Sequence, residues 1–254
     1  MLRNVVARFV ASLCLIAVLF TALPAEAAPG ASNVATELNV PYRTQLDGNP
    51  WELSDCGPAS MAMVLAAYGI VRPTMDVRGY INDLQGTWGD PDAGTFIENL
   101  GLTASHFGLQ PIGLFKAPGV FKYEDKMLRR WTIAELRAQL DQGHPVIPQV
   151  WYRGLPGRER KPYDGDHFIV ITGYQGDDFI YNDPIDKDGV GAERHITTAQ
   201  LDRAWRNSDF PYAALAIAGP ASHPTVTPVA APQPTATPTR PRFFLRPSSA
   251  SLVQ

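Results

Sequence analysis

The chain has 254 residues, 45% of them hydrophobic and 10% aromatic, and a formal net charge of −3. That is enough apolar material for one sizeable core. The acidic balance, which deepens when the arginines near both ends are set aside, excludes a nucleic-acid partner held by a basic face, and two cysteines exclude a disulfide scaffold.

Residues 1–27 read as a secretory signal peptide. Arg3 and Arg8 precede an apolar run over 9–23, and Ala25-Glu26-Ala27 supplies a small-residue cleavage pattern. The run is short for a membrane span, so none is expected after cleavage, and the chain is expected to be secreted or associated with the cell envelope. Cleavage removes Cys14 and leaves Cys56 as the one cysteine, in a compartment where a lone thiol is either buried or used. Residues 28–37 read as a flexible lead, and 38–42 as a short edge strand interrupted by Pro41.

The next stretch runs from Ser54-Asp55-Cys56-Gly57-Pro58 to Tyr68-Gly69. Pro58 suits the first turn of a helix and Gly69 the left-handed residue that stops one, with no charge between them. Met61, Val64, Leu65 and Tyr68 recur at helical spacing and alanines thin the other sides, so the pattern predicts a helix buried nearly all round. Cys56 then stands at its amino end, where free N–H groups and the helix dipole favour a thiolate.

A second helix is predicted over 73–84 and a third after Gly94-Thr95, while 102–131 shows no clean period and stays unassigned. A helix over 132–142 carries Thr132 and Glu135 as a capping box and Gly143 as its stop. A strand over 145–152 follows, then a polar loop over 153–165 predicted to be exposed. Residues 167–174 form the strongest strand pattern in the chain; Gly176-Asp177 turns it back into a strand over 178–182, with another near 193–196 beside it. A helix over 197–207, with Thr197 and Gln200 as its capping pair, and a strand over 212–218 complete a domain over 38–219 with a mainly antiparallel sheet. Residues 220–254, rich in Pro, Thr, Ser and Ala, are predicted to be a disordered tail.

A sulfur nucleophile needs a base within hydrogen-bond reach and a third group that orients the base. The hairpin offers both, because His167 opens one strand and Asp183 closes the other, which puts them side by side at one edge of the sheet. His106, His144, His195 and His223 stand at no comparable pairing of strand ends. No Cys/His cluster has zinc spacing, and around Asp186-Lys187-Asp188-Gly189 the positions where a calcium loop wants carboxylates hold Pro184 and His195. No metal and no cofactor are expected.

Asp55-Cys56-Gly57-Pro58-Ala59 with Met63-Val64-Leu65 and Tyr68-Gly69, then the run from His167 to Tyr174, then Asn182-Asp183-Pro184, together resemble the motifs of the C39-like cysteine peptidase domains of the papain-like superfamily. The resemblance covers about residues 38–218 and implies an α+β fold in which a nucleophile helix packs on a mainly antiparallel sheet. It further implies Cys56, His167 and Asp183 as a catalytic triad. In this family a glutamine upstream of the cysteine shares the oxyanion with the cysteine N–H, and Gln45, after Val40-Pro41-Tyr42, is the matching position for an oxyanion hole with Cys56. Bacteriocin-processing relatives sit on an ATP-driven exporter. This chain shows no transporter segments and no phosphate-binding glycine loop, so leader processing coupled to export is not expected.

The function expected is an exported cysteine hydrolase that cleaves peptide or amide bonds through a thioester, working as a monomer on a peptide or protein, cell-wall peptide included. Two alternatives stay open: a cell-wall transpeptidase or amidase using the same triad, and a catalytically silent peptide-binding module. Glu52, Asp55, Trp88 and Trp151 are candidates for lining the cleft.

Overall fold

The computed structural model describes residues 35–116, 128–219 and 226–227. In chain order these form β1 (Ala35–Leu38), α1 (Cys56–Ala67), α2 (Thr74–Gln85), α3 (Ile97–His106), β2 (Gln110–Ile112), α4 (Ile133–Asp141), β3 (Val146–Trp151), β4 (Asp166–Phe168), β5 (Val170–Gln175), β6 (Asp178–Asn182), β7 (Arg194–Thr197), α5 (Thr198–Arg206), β8 (Ala214–Ala218) and β9 (Val226–Thr227). The strands run β2-β8-β3-β5-β1-β9, every pairing antiparallel; β4 pairs with β3, and β6 lies between β5 and β7.

The middle of the sheet reads as near-continuous hydrophobic runs because it is covered on both faces. Successive residues of β3, β5 and β8 are buried, not alternate ones. Helices α1 and α3 pack against β4, β5, β2 and β8, and α4 and α5 against β1, β3, β5 and β7. Helix α1 is buried from Gly57 to Leu65, as its uncharged sequence predicts, and Gly69 follows it with φ of 79°. Two capping boxes are present, Thr132 with Glu135 at the head of α4 and Thr197 with Gln200 at the head of α5. Each satisfies two N–H groups that no helical bond can reach.

Several expectations are corrected. The first strand covers 35–38 in place of 38–42, so residues 35–37 of the flexible lead expected over 28–37 are in a strand, and 28–34 lie outside the described residues. The reason lies across the sheet. A Cβ on Gly173 would stand 2.2 Å from the Thr36 carbonyl oxygen, so only glycine admits β1 here, while Pro41 lacks the N–H that would prolong it. The strand expected over 167–174 is two: β4 pairs with β3 and β5 with β6, with the break at Ile169. Strand β2 falls inside the stretch that showed no period. The loop over 153–165 is not uniformly exposed: Gly154, Leu155 and Arg158 are buried. Of the tail expected to be disordered, Val226–Thr227 pair with β1. The expected signal peptide and the remainder of the tail lie outside the described residues.

Candidate active site

Cys56 is the first residue of α1, so its N–H has no partner within the helix and its side chain is only half-buried. The approach to it is fixed from below. Asp55 is fully buried and accepts from Arg78 Nε at 2.5 Å and from Asn49 Nδ2 at 2.7 Å, while Arg78, also fully buried, donates through Nη2 to the Ser54 carbonyl at 2.7 Å. This pair clamps the turn before the sulfur to α2. On the other side Ser60 Oγ donates to the Phe168 carbonyl at 3.4 Å, tying α1 to the strand that carries His167.

His167 lies in β4 opposite Val150, and Asp183 follows the last residue of β6. Their adjacency comes from the β5–β6 register, in which Val170 faces Asn182. His167 Nε2 and Asp183 Oδ1 are 2.7 Å apart. The same ring is in hydrogen-bonding reach of Cys56, and with Nε2 taken by the carboxylate the nitrogen left for sulfur is Nδ1. Tyr152 packs edge-on to the ring with centroids 5.2 Å apart.

The electrostatics follow from this arrangement. Burial opposes ionisation of the Cys56 thiol, but the hydrogen bond and charge of His167, the Phe168 N–H and Arg78 outweigh it and pull the thiol below its ordinary value. Burial likewise disfavours a charged imidazole, and Asp183 together with the Cys56 sulfur overcomes that and raises His167. Burial alone would lift the Asp183 carboxyl, yet His167 and Arg158 hold it below the usual carboxylate range. All three shifts favour one charge state: thiolate, imidazolium and carboxylate in a row.

Arg158 is the member that sequence reasoning missed. It lies in the loop expected to be exposed, but it is 7% exposed, and its Nη2 donates to Asp183 Oδ2 at 2.9 Å and to Asp186 Oδ2 at 2.5 Å. Arg194 Nη1 reaches the same Asp186 oxygen at 3.3 Å. The Asp186 carboxylate is thus occupied by two arginines, and among the described residues no group of three or more His, Cys, Asp or Glu side chains is placed to hold a metal ion. An arginine in a polar loop carries no periodic signal, so nothing in the sequence marked it.

Gln45 is almost fully buried beside this group. Its N–H donates to the Pro184 carbonyl at 2.7 Å, next to Asp183, and its Nε2 gives one hydrogen to the Glu52 carbonyl at 2.8 Å, with Oε1 unpartnered. Gln45, Cys56 and His167 all line one cavity of about 910 Å³, with Leu53, Phe96 and Tyr163 as its exposed apolar walls. Glu52, Asp55, Trp88 and Trp151, expected as candidates there, do not line it. Asp55 is spent on Arg78, and Trp88 instead packs edge-on against Trp51.

The profile of the peptidase C39-like family matches residues 37–212. The chain belongs to that family. It is a cysteine-type peptidase, and its helices on an antiparallel sheet are the α+β arrangement of the papain-like fold. Among solved structures, a putative C39-like peptidase from Bacillus anthracis superposes with a TM-score of 0.50 at 18% identity, over 74% of this chain and 99% of its own. The double-glycine-motif protease of an AMS/PCAT transporter, solved with a leader peptide, gives 0.44 at 20% identity, over 74% of this chain and 99% of its own. The peptidase domain of Streptococcus ComA gives 0.39 at 19%, over 72% and 98%. No match is found among curated protein sequences. Where this C39-like chain differs from a bare helix-and-hairpin frame is in Arg158 and the Asp55–Arg78 pair, which brace the two halves of the site from outside.

Proposed function

We propose that this C39-like protein is an exported hydrolase of peptide or amide bonds that works through a Cys56–His167–Asp183 triad and a thioester. The observation that carries the reading is the His167 ring bonded to Asp183 on one nitrogen while the other faces a thiol at a helix amino end. In the resting site the thiol proton resides on His167 Nδ1. The thiolate attacks the scissile carbonyl carbon, and the oxyanion is held by the Cys56 N–H and by the second hydrogen of Gln45 Nε2. His167 gives its proton to the departing amine, leaving an acyl-thioester. Water then loses a proton to His167 as it attacks, and the acid leaves with the thiolate restored. Asp183 keeps Nε2 protonated throughout, so Nδ1 is always the nitrogen that trades protons with sulfur, amine and water. Export is supported by the charged-then-apolar amino-terminal run and its Ala-x-Ala step.

Digestion of a proteome-derived peptide library by the full chain, with a Cys56→Ala counterpart, tests the chemistry. New amino termini that vanish in the variant are expected. A library left intact under reducing conditions contradicts hydrolysis, and products joined to added amines would turn the reading to transpeptidation.

A further inference from the structure

On this triad reading, we propose that Tyr152 is a positioning residue: its ring, in contact with the His167 imidazole and the Arg158 guanidinium, holds the two side chains that donate to Asp183 and covers the His167–Asp183 hydrogen bond against water. The His167 ring meets it edge-on, with centroids 5.2 Å apart and an interplanar angle of 74°, and the Arg158 guanidinium carbon lies over it 5.6 Å from its centroid. Those two side chains share one carboxylate. His167 Nε2 stands 2.7 Å from Asp183 Oδ1, and Arg158 Nη2 donates to Oδ2 at 2.9 Å. Each donor alone could swing about the oxygen it bonds; a ring that touches both fixes the angle between them. The cavity wall at this point is made by His167, Tyr152 and Ile185, whereas Asp183 is fully buried and does not line it. Removing the ring therefore opens a buried, charge-assisted hydrogen bond to the cavity, where water competes for both partners.

The ring is itself held by backbone. Tyr152 begins a single 3-10 turn, Tyr152–Gly154, directly after β3; its N–H donates to the Gly165 carbonyl at 3.0 Å and its carbonyl accepts from the Leu155 N–H at 3.1 Å. Gly165 leads straight into β4, so that hydrogen bond sets the tyrosine beside the strand that carries His167. The turn lies hard against α5: a Cβ on Gly154 would stand 2.6 Å from the Ala204 Cα. The Tyr163 ring packs on Tyr152 as well, with centroids 5.5 Å apart. The hydroxyl does not account for the placement. A buried tyrosine ordinarily spends its hydroxyl on a partner, but Tyr152 is 6% exposed and among the described residues its hydroxyl makes no hydrogen bond. Burial raises the phenol above its ordinary 10.0, so it stays neutral and lends no charge to the groups that face His167, which are Cys56 on α1 and Asp183 after β6, with Arg158 behind the carboxylate. What Tyr152 contributes is its ring.

Proton NMR of the full chain carrying nitrogen-15-labelled histidine tests this without requiring turnover. An imidazole N–H bonded to a buried carboxylate resonates far downfield and exchanges slowly with water; the parent is expected to show such a proton on His167 Nε2, identified by its absence from His167→Gln. Tyr152→Leu is expected to speed its exchange about tenfold, and Tyr152→Phe, which keeps the ring, to hold the parent's rate. Tyr152→Met carries the same expectation as leucine should the leucine variant not fold. On any peptide the parent cleaves, Tyr152→Leu should lower kcat about tenfold with KM unchanged, and phenylalanine should rescue it. An exchange rate unmoved by loss of the ring overturns the positioning role, and so does loss of the proton in Tyr152→Phe, which would assign the work to the hydroxyl. If the parent cleaves no peptide while the proton is protected and its protection depends on the ring, the hydrolytic reading fails and the role of Tyr152 stands.

Discussion

Asp183 divides its two oxygens between the imidazole it orients and the guanidinium that anchors it. Replacing it with asparagine keeps the shape but removes the charge that favours imidazolium and permits the wrong tautomer. Asp183→Asn is therefore expected to lower kcat by about 10³- to 10⁴-fold with KM little changed, read by steady-state kinetics on any peptide the parent cleaves. Arg158 acts one step back. Arg158→Met is expected to cost about tenfold in kcat through a looser Asp183, with partial rescue by lysine; equal kcat in parent and variant would make the pair merely structural. Cys56 and His167 together set the pH dependence. With ordinary values of 9.0 and 6.5 there is no pH at which thiolate and imidazolium coexist as the main form. Lowering the first and raising the second, to about 10, opens such a window, so kcat/KM should rise through the depressed thiol value, level off between the two and fall through the raised imidazole value. A profile with a single limb near 6.5 would sink the ion-pair form of the mechanism.

At the scale of elements, the site depends on parts that never touch substrate. The chain after β6 folds back so closely that a Cβ on Gly191 would stand 2.1 Å from the Asp183 carbonyl oxygen and 2.5 Å from the Tyr42 hydroxyl. Gly191→Ala is expected to displace Asp183 and lower activity while α1 and its thiol remain, which a folded far-ultraviolet spectrum with reduced turnover would report. The Asp55–Arg78 pair carries more stability: Arg78→Met strands a buried carboxylate, and equilibrium denaturation should show a loss of about 3 to 5 kcal/mol. Glu98 on α3 works in the opposite sense. Burial pushes its carboxyl up to about 7 from 4.5, so it takes up charge at a cost that grows as pH rises between those values, and Glu98→Gln is expected to stabilise the protein at pH 8 by roughly 1 to 3 kcal/mol. Helix α1, the two capping boxes and the β5–β6 hairpin were legible in the sequence because each has a local signature: an uncharged apolar run ending in glycine, a Thr with Glu or Gln three residues on, a Gly-Asp turn between apolar strands. Strand β2 and the break at Ile169 were not, since both are decided by which distant strand supplies hydrogen bonds and not by periodicity.

Across the whole molecule, Cys56 and His167 come from segments more than a hundred residues apart, brought together by the packing of α1 on β4 and β5. Stability should follow the charges this packing fixes. The Asp183 contribution is fully present above its ordinary 3.8 and lost as pH falls through the depressed folded value; the His167 contribution is present below its ordinary 6.5 and lost as pH rises through the raised one. What the sequence could not convey at this scale was the bracing by Arg158 and by Asp55–Arg78, because an ion pair formed between loops and helices leaves no spacing behind. The adjacency of His167 and Asp183, by contrast, follows from one hairpin and was readable. In the mechanism proposed above, the Cys56 sulfur is already a thiolate paired with His167 before substrate arrives. The most direct measurement is the rate of iodoacetamide alkylation at Cys56, read by peptide mass spectrometry as a function of pH, in the parent and in His167→Ala. The inflection of the parent is expected below the ordinary thiol value, and in the variant it is expected to move back up toward that value. An ordinary thiol inflection in the parent, unmoved by loss of the imidazole, would contradict it.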